Sequence, residues 1–363
     1  MFSVYDGYKK IETGGEKTYF AGANTADGFV GLYSDIANER KLDRAYIIKG
    51  AAGTGKSTLM KKIADSCKKS GYESEYYLCG SDPFSYDCVV IDKRIAVLDG
   101  TSPHQRDMQY PGCASSIIDL SRFWDNGILE ESKDEIIYYS AKKAADYAAA
   151  YRFIKAADQL DRERYLCACD YFDRDKAEAY IDRLLKKLKV KHSANPVVRR
   201  RYTHGITMRG RWCVDVTEDA SVDSYSVFDI KNIAPLFMEL VAEKAKAEGL
   251  SHTVSYMPLR HNITAVSLDD HDITFNVSRG RNDEKSINSK RFDKCDSSVD
   301  GRMKLAGRCE KECIEDAETI LSSAAENHFR LEEIYKKSMD FERLAEYTDE
   351  VTDEILERLK KRN

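Results

Sequence analysis

The chain has only 6 prolines in 363 residues and no Gly/Ser-rich or Pro-rich tract, which leaves little room for long structureless linkers. No apolar run approaches the roughly 20 residues needed to cross a bilayer. The opening residues, MFSVYDGYKKIETGGEK, lack the apolar centre of a secretion signal. A cytoplasmic chain with no membrane partner is therefore expected. The 10 cysteines form no C-x-x-C pair and no framework spacing. Cys167 with Cys169, and Cys309 with Cys313, have no His/Cys partner pair nearby, so reduced thiols are expected rather than zinc ligands. There is little excess of either charge: Lys+Arg 57 against Asp+Glu 62 leaves a net charge of −5. A mildly acidic, mixed surface argues against bulk nucleic-acid binding, though not against a local basic patch.

At this length two domains of about 150–200 residues are expected. From Ala45 the chain reads AYIIKGAAGTGKSTLMKKIADSCKKSG, a strand, a Gly-rich turn and a helix. Strands then recur at Glu75 to Cys79 and Arg94 to Leu98, which predicts an α/β fold with a parallel sheet and crossover helices. Ser132 to Cys169 has no Gly or Pro, and Ile136, Tyr139, Tyr147, Tyr151, Ile154 and Leu160 recur at helical spacing. Asp173 to Lys189 predicts a second helix, so a helical hairpin is expected to project from the sheet. The first domain is placed at residues 1–191 with its helical arm at about 114–190. His192 to Pro196 is the linker candidate, and a second domain at 197–363 carries an arm at about 303–361.

The second half reads as a worn copy of the first. Leu59-Met60, Ile63-Ala64 and Gly71 are echoed by Phe237-Met238, Val241-Ala242 and Gly249 at a constant offset. ANTADG at Ala23 to Gly28 and GITMRG at Gly205 to Gly210 both close in T-x-x-G. The shared order of these matches predicts a tandem duplication. Chance similarity between two α/β segments of the same rhythm is the alternative.

One motif is specific. Gly50-Ala51-Ala52-Gly53-Thr54-Gly55-Lys56-Ser57 fits G-x-x-x-x-G-K-[ST] without a mismatch, after a strand and opening a helix that continues through Thr58. The chemistry needs each part. Glycines allow φ > 0 and close approach of N–H groups to phosphate. The helix start adds its partial positive charge. Lys56 is expected to reach the β- and γ-phosphates and Ser57 to offer its hydroxyl to Mg²⁺. Asp99, which ends an apolar strand, is the candidate carboxylate on the metal side. The competing reading makes it a turn former before Gly100. Asp92 falls in a connecting turn. Asp99 is followed by Gly100 rather than Glu, which weakens a motor or helicase reading, and no N-K-x-D supports GTP specificity.

Two more candidates follow the strands, where α/β sheets bind ligands. Asp82 either positions a water or accepts a substrate proton, or else makes an Asx-type turn before Pro83. His104 either contacts phosphate or substrate or is a plain loop residue. Asn24, Thr25 and Gly28 either fold over the base or ribose or cap a helix. In the second half the matching stretch is Phe228 to Pro235, FDIKNIAP, with Ala234 in place of Lys56 and Asn276 in place of Asp99. One nucleotide site per chain is the expectation. The basic run Val198 to Tyr202 and the stretch Arg279 to Lys294 read as solvated connections rather than nucleic-acid contacts.

YFAGANTADGF at Tyr19 to Phe29, IIKGAAGTGKSTLMKKI at Ile47 to Ile63 and AVLDGTSPH at Ala96 to His104 together carry a resemblance. The chain resembles a bacterial family of tandem P-loop NTPase-like proteins, whose members are described only as ATPases or ATP-binding proteins. In such proteins both halves can carry a P-loop, and this sequence departs by lacking the second. The resemblance implies ATP binding and hydrolysis and no established substrate. With the Mg²⁺ that the motif asks for, ATP hydrolysis coupled to an unnamed protein or small-molecule client is the expected function. A small-molecule or nucleoside kinase and a non-enzymatic, ATP-gated binding module are the alternatives.

Overall fold

Short runs rich in Val, Ile and Tyr become strands, and the longer stretches with apolar residues every three or four positions become helices. The computed structural model describes residues 7–102, 106–217, 223–259, 262–278, 285–295 and 301–361. The first half runs β1 (Lys9–Ile11), β2 (Thr18–Phe20), β3 (Gly22–Thr25), β4 (Gly28–Gly31), α1 (Tyr33–Ile36), β5 (Arg44–Lys49), α2 (Lys56–Lys69), β6 (Ser74–Leu78), β7 (Tyr86–Ile91), β8 (Ile95–Asp99), β9 (Ser115–Asp119), α3 (Asn126–Glu131), α4 (Lys133–Tyr171) and α5 (Arg174–Leu188). The second half runs β10 (Val198–Tyr202), β11 (His204–Thr207), β12 (Gly210–Val214), β13 (Asp223–Phe228), α6 (Ala234–Ala247), β14 (His252–Tyr256), β15 (Ile263–Leu268), β16 (Ile273–Ser278), β17 (Ser286–Asn288), α7 (Gly301–Ser338) and α8 (Phe341–Lys360).

These elements build a mixed α/β molecule around one 12-stranded sheet. Read from its two edges inward, the order is β9-β5-β8-β7-β6-β2 on one side and β17-β13-β16-β15-β14-β10 on the other. The two series also agree in direction. Parallel pairs β5–β9, β5–β8 and β2–β6 are matched by β13–β17, β13–β16 and β10–β14. Antiparallel pairs β6–β7 and β7–β8 are matched by β14–β15 and β15–β16. The series meet antiparallel at Phe20 and Tyr202.

The crossover rhythm predicts a parallel sheet, and the observed one is mixed. Between Cys79 and Ile95 there is no helix to carry a crossover. Instead Asp92 and Lys93, at φ 52° and 54°, make a tight turn that folds β8 back on β7.

The helices also depart from expectation. Instead of a hairpin with α5 projecting from the sheet, α4 lies along α7. Ala150, Ile154 and Ala157 of α4 and Ile314, Ala317 and Leu321 of α7 share one buried cluster. The pairs Arg164–Glu310 and Asp146–Asn327 show the helices to be antiparallel. The first arm begins at α3 and not near residue 114, because β9 is an edge strand paired with β5. The terminal helices are exchanged between the halves. Leu344, Val351, Ile355 and Leu359 of α8 close the first-half core, packing with Leu59, Met60 and Ile63 of α2. Ala177, Ile181 and Leu185 of α5 close the second-half core with Phe237, Met238 and Val241 of α6. Each sheet half leaves an apolar face that its own single crossover helix does not cover, and the other half's terminal helix covers it.

The T-x-x-G segments are hairpin turns. Thr25 Oγ1 donates to Gly28 O (2.9 Å) and accepts from Asp27 N (3.2 Å). Thr207 Oγ1 donates to Gly210 O (2.7 Å) and accepts from Arg209 N (3.1 Å). Asn24 caps no helix and is not open to a ligand. Fully buried, its amide donates to Gly80 O (3.1 Å) and Ile206 O (2.8 Å), and its oxygen accepts from the Tyr151 hydroxyl (2.9 Å). It ties both hairpins and α4 together.

Candidate functional site

The Gly50–Ser57 loop joins the C-terminal end of β5 to the N-terminus of α2. Gly53 (φ 73°) and Gly55 (φ 90°) adopt the left-handed conformation that lets the chain fold back over itself. The Thr54 hydroxyl, at the buried inner side of the loop, donates to Ala51 O at 2.9 Å and pins the turn. Ala51, Ala52 and Ser57 are half-buried, and Thr58 is exposed on the first turn of α2.

Sheet register brings the acid to the base. β5 pairs with β8 so that Ile48 stands opposite Asp99. The Lys56 ammonium lies 3.6 Å from Asp99 Oδ2, with side-chain exposures of 12% and 9%, and it donates to Ala51 O at 2.6 Å. The other Asp99 oxygen accepts from Thr101 N (2.8 Å) and Thr101 Oγ1 (2.5 Å), which orients the carboxylate. Ser57 Oγ accepts from Tyr86 N at 2.9 Å. Asp99 thus makes the Asx-type turn onto Thr101 with one oxygen and pairs with Lys56 through the other.

Three further walls surround the loop. On one side α7 and α8 press against it: a Cβ on Gly53 would stand 2.7 Å from Glu332 O, and one on Gly55 would stand 3.0 Å from Leu344 Cδ2. The Glu332 carboxyl is held down at about 2, first by its hydrogen bond to His328 and then by Lys336. On a second side, Lys143 stands one and two turns before Tyr147 and Tyr151 on α4, on the face that meets Asn24. Burial, and then the nearby Lys56 charge, hold the Lys143 ammonium below its usual value.

The third wall is Arg209, at the tip of the β11–β12 hairpin. Its Nε and Nη2 reach Asp82 Oδ1 and Oδ2 at 2.8 and 3.0 Å. The guanidinium also lies 4.8 Å from the Phe329 ring of α7. Asp82 makes the Asx-type turn as well, accepting from Phe84 N at 3.1 Å. His104 lies outside the described residues.

Sequence reasoning missed three groups. Lys143 and Arg209 carry no local signal, since helix pairing and hairpin docking bring them here. Asp87 did have one: it breaks the apolar run of β7. It is 3% exposed and accepts from the Tyr33 hydroxyl at 3.1 Å. The strand pairing that joins Cys88 to Leu98 continues toward Asp87 and Asp99. Burial pushes the neighbouring Cys79 thiol well up, and the Asp87 charge adds to this.

The corresponding turn of the second half is differently filled. Lys231 and Asn232 have φ 57° and 59°. The Lys231 ammonium donates to Asp293 Oδ2 (2.6 Å) and Cys295 O (2.7 Å) and sits 4.7 Å from the Tyr171 ring. Asp229 Oδ1 accepts from Ala234 N, the first helical amide of α6. Asn276 accepts from the Ser224 hydroxyl at 3.0 Å. The basic run is no solvated connection, for it forms strand β10. Arg199 pairs with Asp269 (2.6 Å), Arg200 with Asp35 (3.0 Å), and Arg201 is buried against Tyr19 and Tyr77.

No family model, curated protein or solved structure matches the chain. Among the described residues, no three His, Cys, Asp or Glu side chains gather to hold a metal ion, and no helix is long and apolar enough to cross a membrane.

Proposed function

We propose that the chain binds Mg-ATP at Gly50–Ser57 and hydrolyses it. The observation that carries this is the convergence of a left-handed glycine loop, the α2 N-terminus and the Lys56–Asp99 pair at the C-terminal edge of the sheet. Main-chain N–H groups of Gly53 to Ser57 would cradle the β-phosphate, and Lys56 would exchange its loop carbonyl for phosphate oxygens. Ser57 and Asp99 offer the hard oxygen atoms that suit Mg²⁺, an ion that takes the rest of its shell from water and phosphate. When bound, the ion supplies charge neutralisation to the leaving diphosphate. The chain's own work is positioning and charge stabilisation by Lys56 and the loop amides.

The repeated strand order and the shared two-residue, Thr-anchored hairpin turn support reading the molecule as a P-loop-type sheet duplicated in tandem, its second copy without a phosphate loop. One observation also favours an ATP-gated binding role. The far arm of the chain rests on Gly53 and Gly55, so loop movement is felt by α7 and α8.

The test compares the intact chain with Lys56→Ala by calorimetry with Mg-ATP and by phosphate release. Binding and turnover in the wild type, both lost in the variant, are expected. Equal phosphate release by the two proteins removes the enzymatic reading, and no binding heat from the wild type removes the nucleotide reading altogether.

A further inference from the structure

The ATP site belongs to the first half, yet one of its cations comes from the second. Arg209 stands at a rigid position. Its N–H is held by Thr207 Oγ1, and the strand below it is clamped by Asn24 at Ile206 O. From there the guanidinium reaches across the junction to Asp82, in the loop after β6, and lies over Phe329. Phe329 and Glu332 are one turn apart on α7, and the Glu332 carbonyl is the atom against Gly53. Guanidinium and phosphate loop thus touch the same turn of the same helix.

The hairpin of the first half makes the same Thr-anchored turn but carries Asp27 at the place of Arg209. The cation is at the tip that meets α7 at Phe329, one turn from the Glu332 carbonyl that stands against Gly53. The acid is at the tip of the other hairpin, which belongs to the first half. The ion pair with Asp82 is only partly shielded, the Arg209 side chain being 38% exposed, so another anion can displace the carboxylate.

We propose that Arg209 is a catalytic arginine supplied in cis: it leaves Asp82 and binds the γ-phosphate as charge develops there, making the second half a built-in activator of the first. The inference rests on the ATP reading. In the step assisted, a water oxygen bonds to the γ-phosphorus and the bond from that phosphorus to the β–γ bridging oxygen breaks. ADP leaves with the electron pair, and both water protons stay on the released phosphate as dihydrogen phosphate, which gives one up to solvent. Arg209 bonds the equatorial oxygens with its planar fork, which an ammonium does not reproduce. Asp82 is then a positioning residue that stores the guanidinium beside the site.

Full-length Arg209→Ala and Arg209→Lys are compared with wild type. ATP affinity, turnover, thermal midpoint, and binding of ADP with and without aluminium fluoride are measured. Expected are near-unchanged ATP affinity and midpoint and turnover lower by about a thousandfold in both variants. The extra affinity that aluminium fluoride confers on ADP should also be lost in both. ATP binding itself reports that the variants fold. Wild-type turnover in Arg209→Ala, or a wild-type chain that binds ATP but neither turns it over nor binds ADP more tightly with aluminium fluoride, overturns the assignment. A wild-type chain that binds no ATP overturns the underlying reading instead.

Discussion

Asp229 Oδ1 lies 2.9 Å from the backbone nitrogen of Ala234, so the N-terminus of α6 is capped by a carboxylate of its own chain. The place that Asp229 holds before α6 is held before α2 by Ala51, which has no charge to offer. An internal carboxylate occupies the very end of a helix where a phosphate would have to bind.

One bound nucleotide per chain is therefore expected by calorimetry, and Lys231→Ala should leave ATP affinity unchanged. A stoichiometry of two would show that the α6 terminus accepts phosphate despite its carboxylate.

Gly53→Ala should be costly for two separable reasons. The left-handed backbone at φ 73° costs a residue with a Cβ about 1–2 kcal/mol, and that Cβ would press on the Glu332 carbonyl at 2.7 Å. Gly14 has φ 62° and open space around its Cβ position, so Gly14→Ala carries the backbone cost alone. Denaturant unfolding should show the larger loss at position 53. Equal losses would mean that α7 does not press on the loop.

Glu239 on α6 accepts from the Tyr165 hydroxyl at 2.9 Å, and burial lifts its carboxyl to about 7 from an ordinary 4.5. The folded chain thus keeps a proton that the unfolded chain has released. The stabilisation is complete below pH 4.5 and disappears as pH rises through about 7. Glu239→Gln removes this titration. Relative to wild type it should gain about 1 kcal/mol between pH 5 and 8, less than full linkage because the side chain is half-buried. A difference between the two proteins that stays flat over that range contradicts the assignment.

The parts of the site that follow from local chemistry were legible in the residues. A strand, a glycine turn and a helix start at Gly50–Ser57 follow from conformational freedom and hydrophobic period alone, and Asp99 was marked by ending an apolar strand. Asp92 was legible as a turn residue for the same reason. Asn24 was not, because its three hydrogen-bond partners lie far along the chain, in the loop after β6, on β11 and on α4. The arginines of β10 read as a basic patch because their acidic partners Asp35 and Asp269 are far away in the chain.

By itself, then, the order of residues determined the glycine loop with its flanking strand and helix, the long helices α4 and α5, and the absence of that motif from the second half. All of these are set within a few residues by φ/ψ preference, hydrophobic spacing and side-chain type. Tertiary structure alone decided that α4 pairs with α7, that α5 and α8 change places, and that Arg209 faces Asp82. Those outcomes depend on which apolar face finds which cover once one continuous sheet has formed, and no local pattern records that choice.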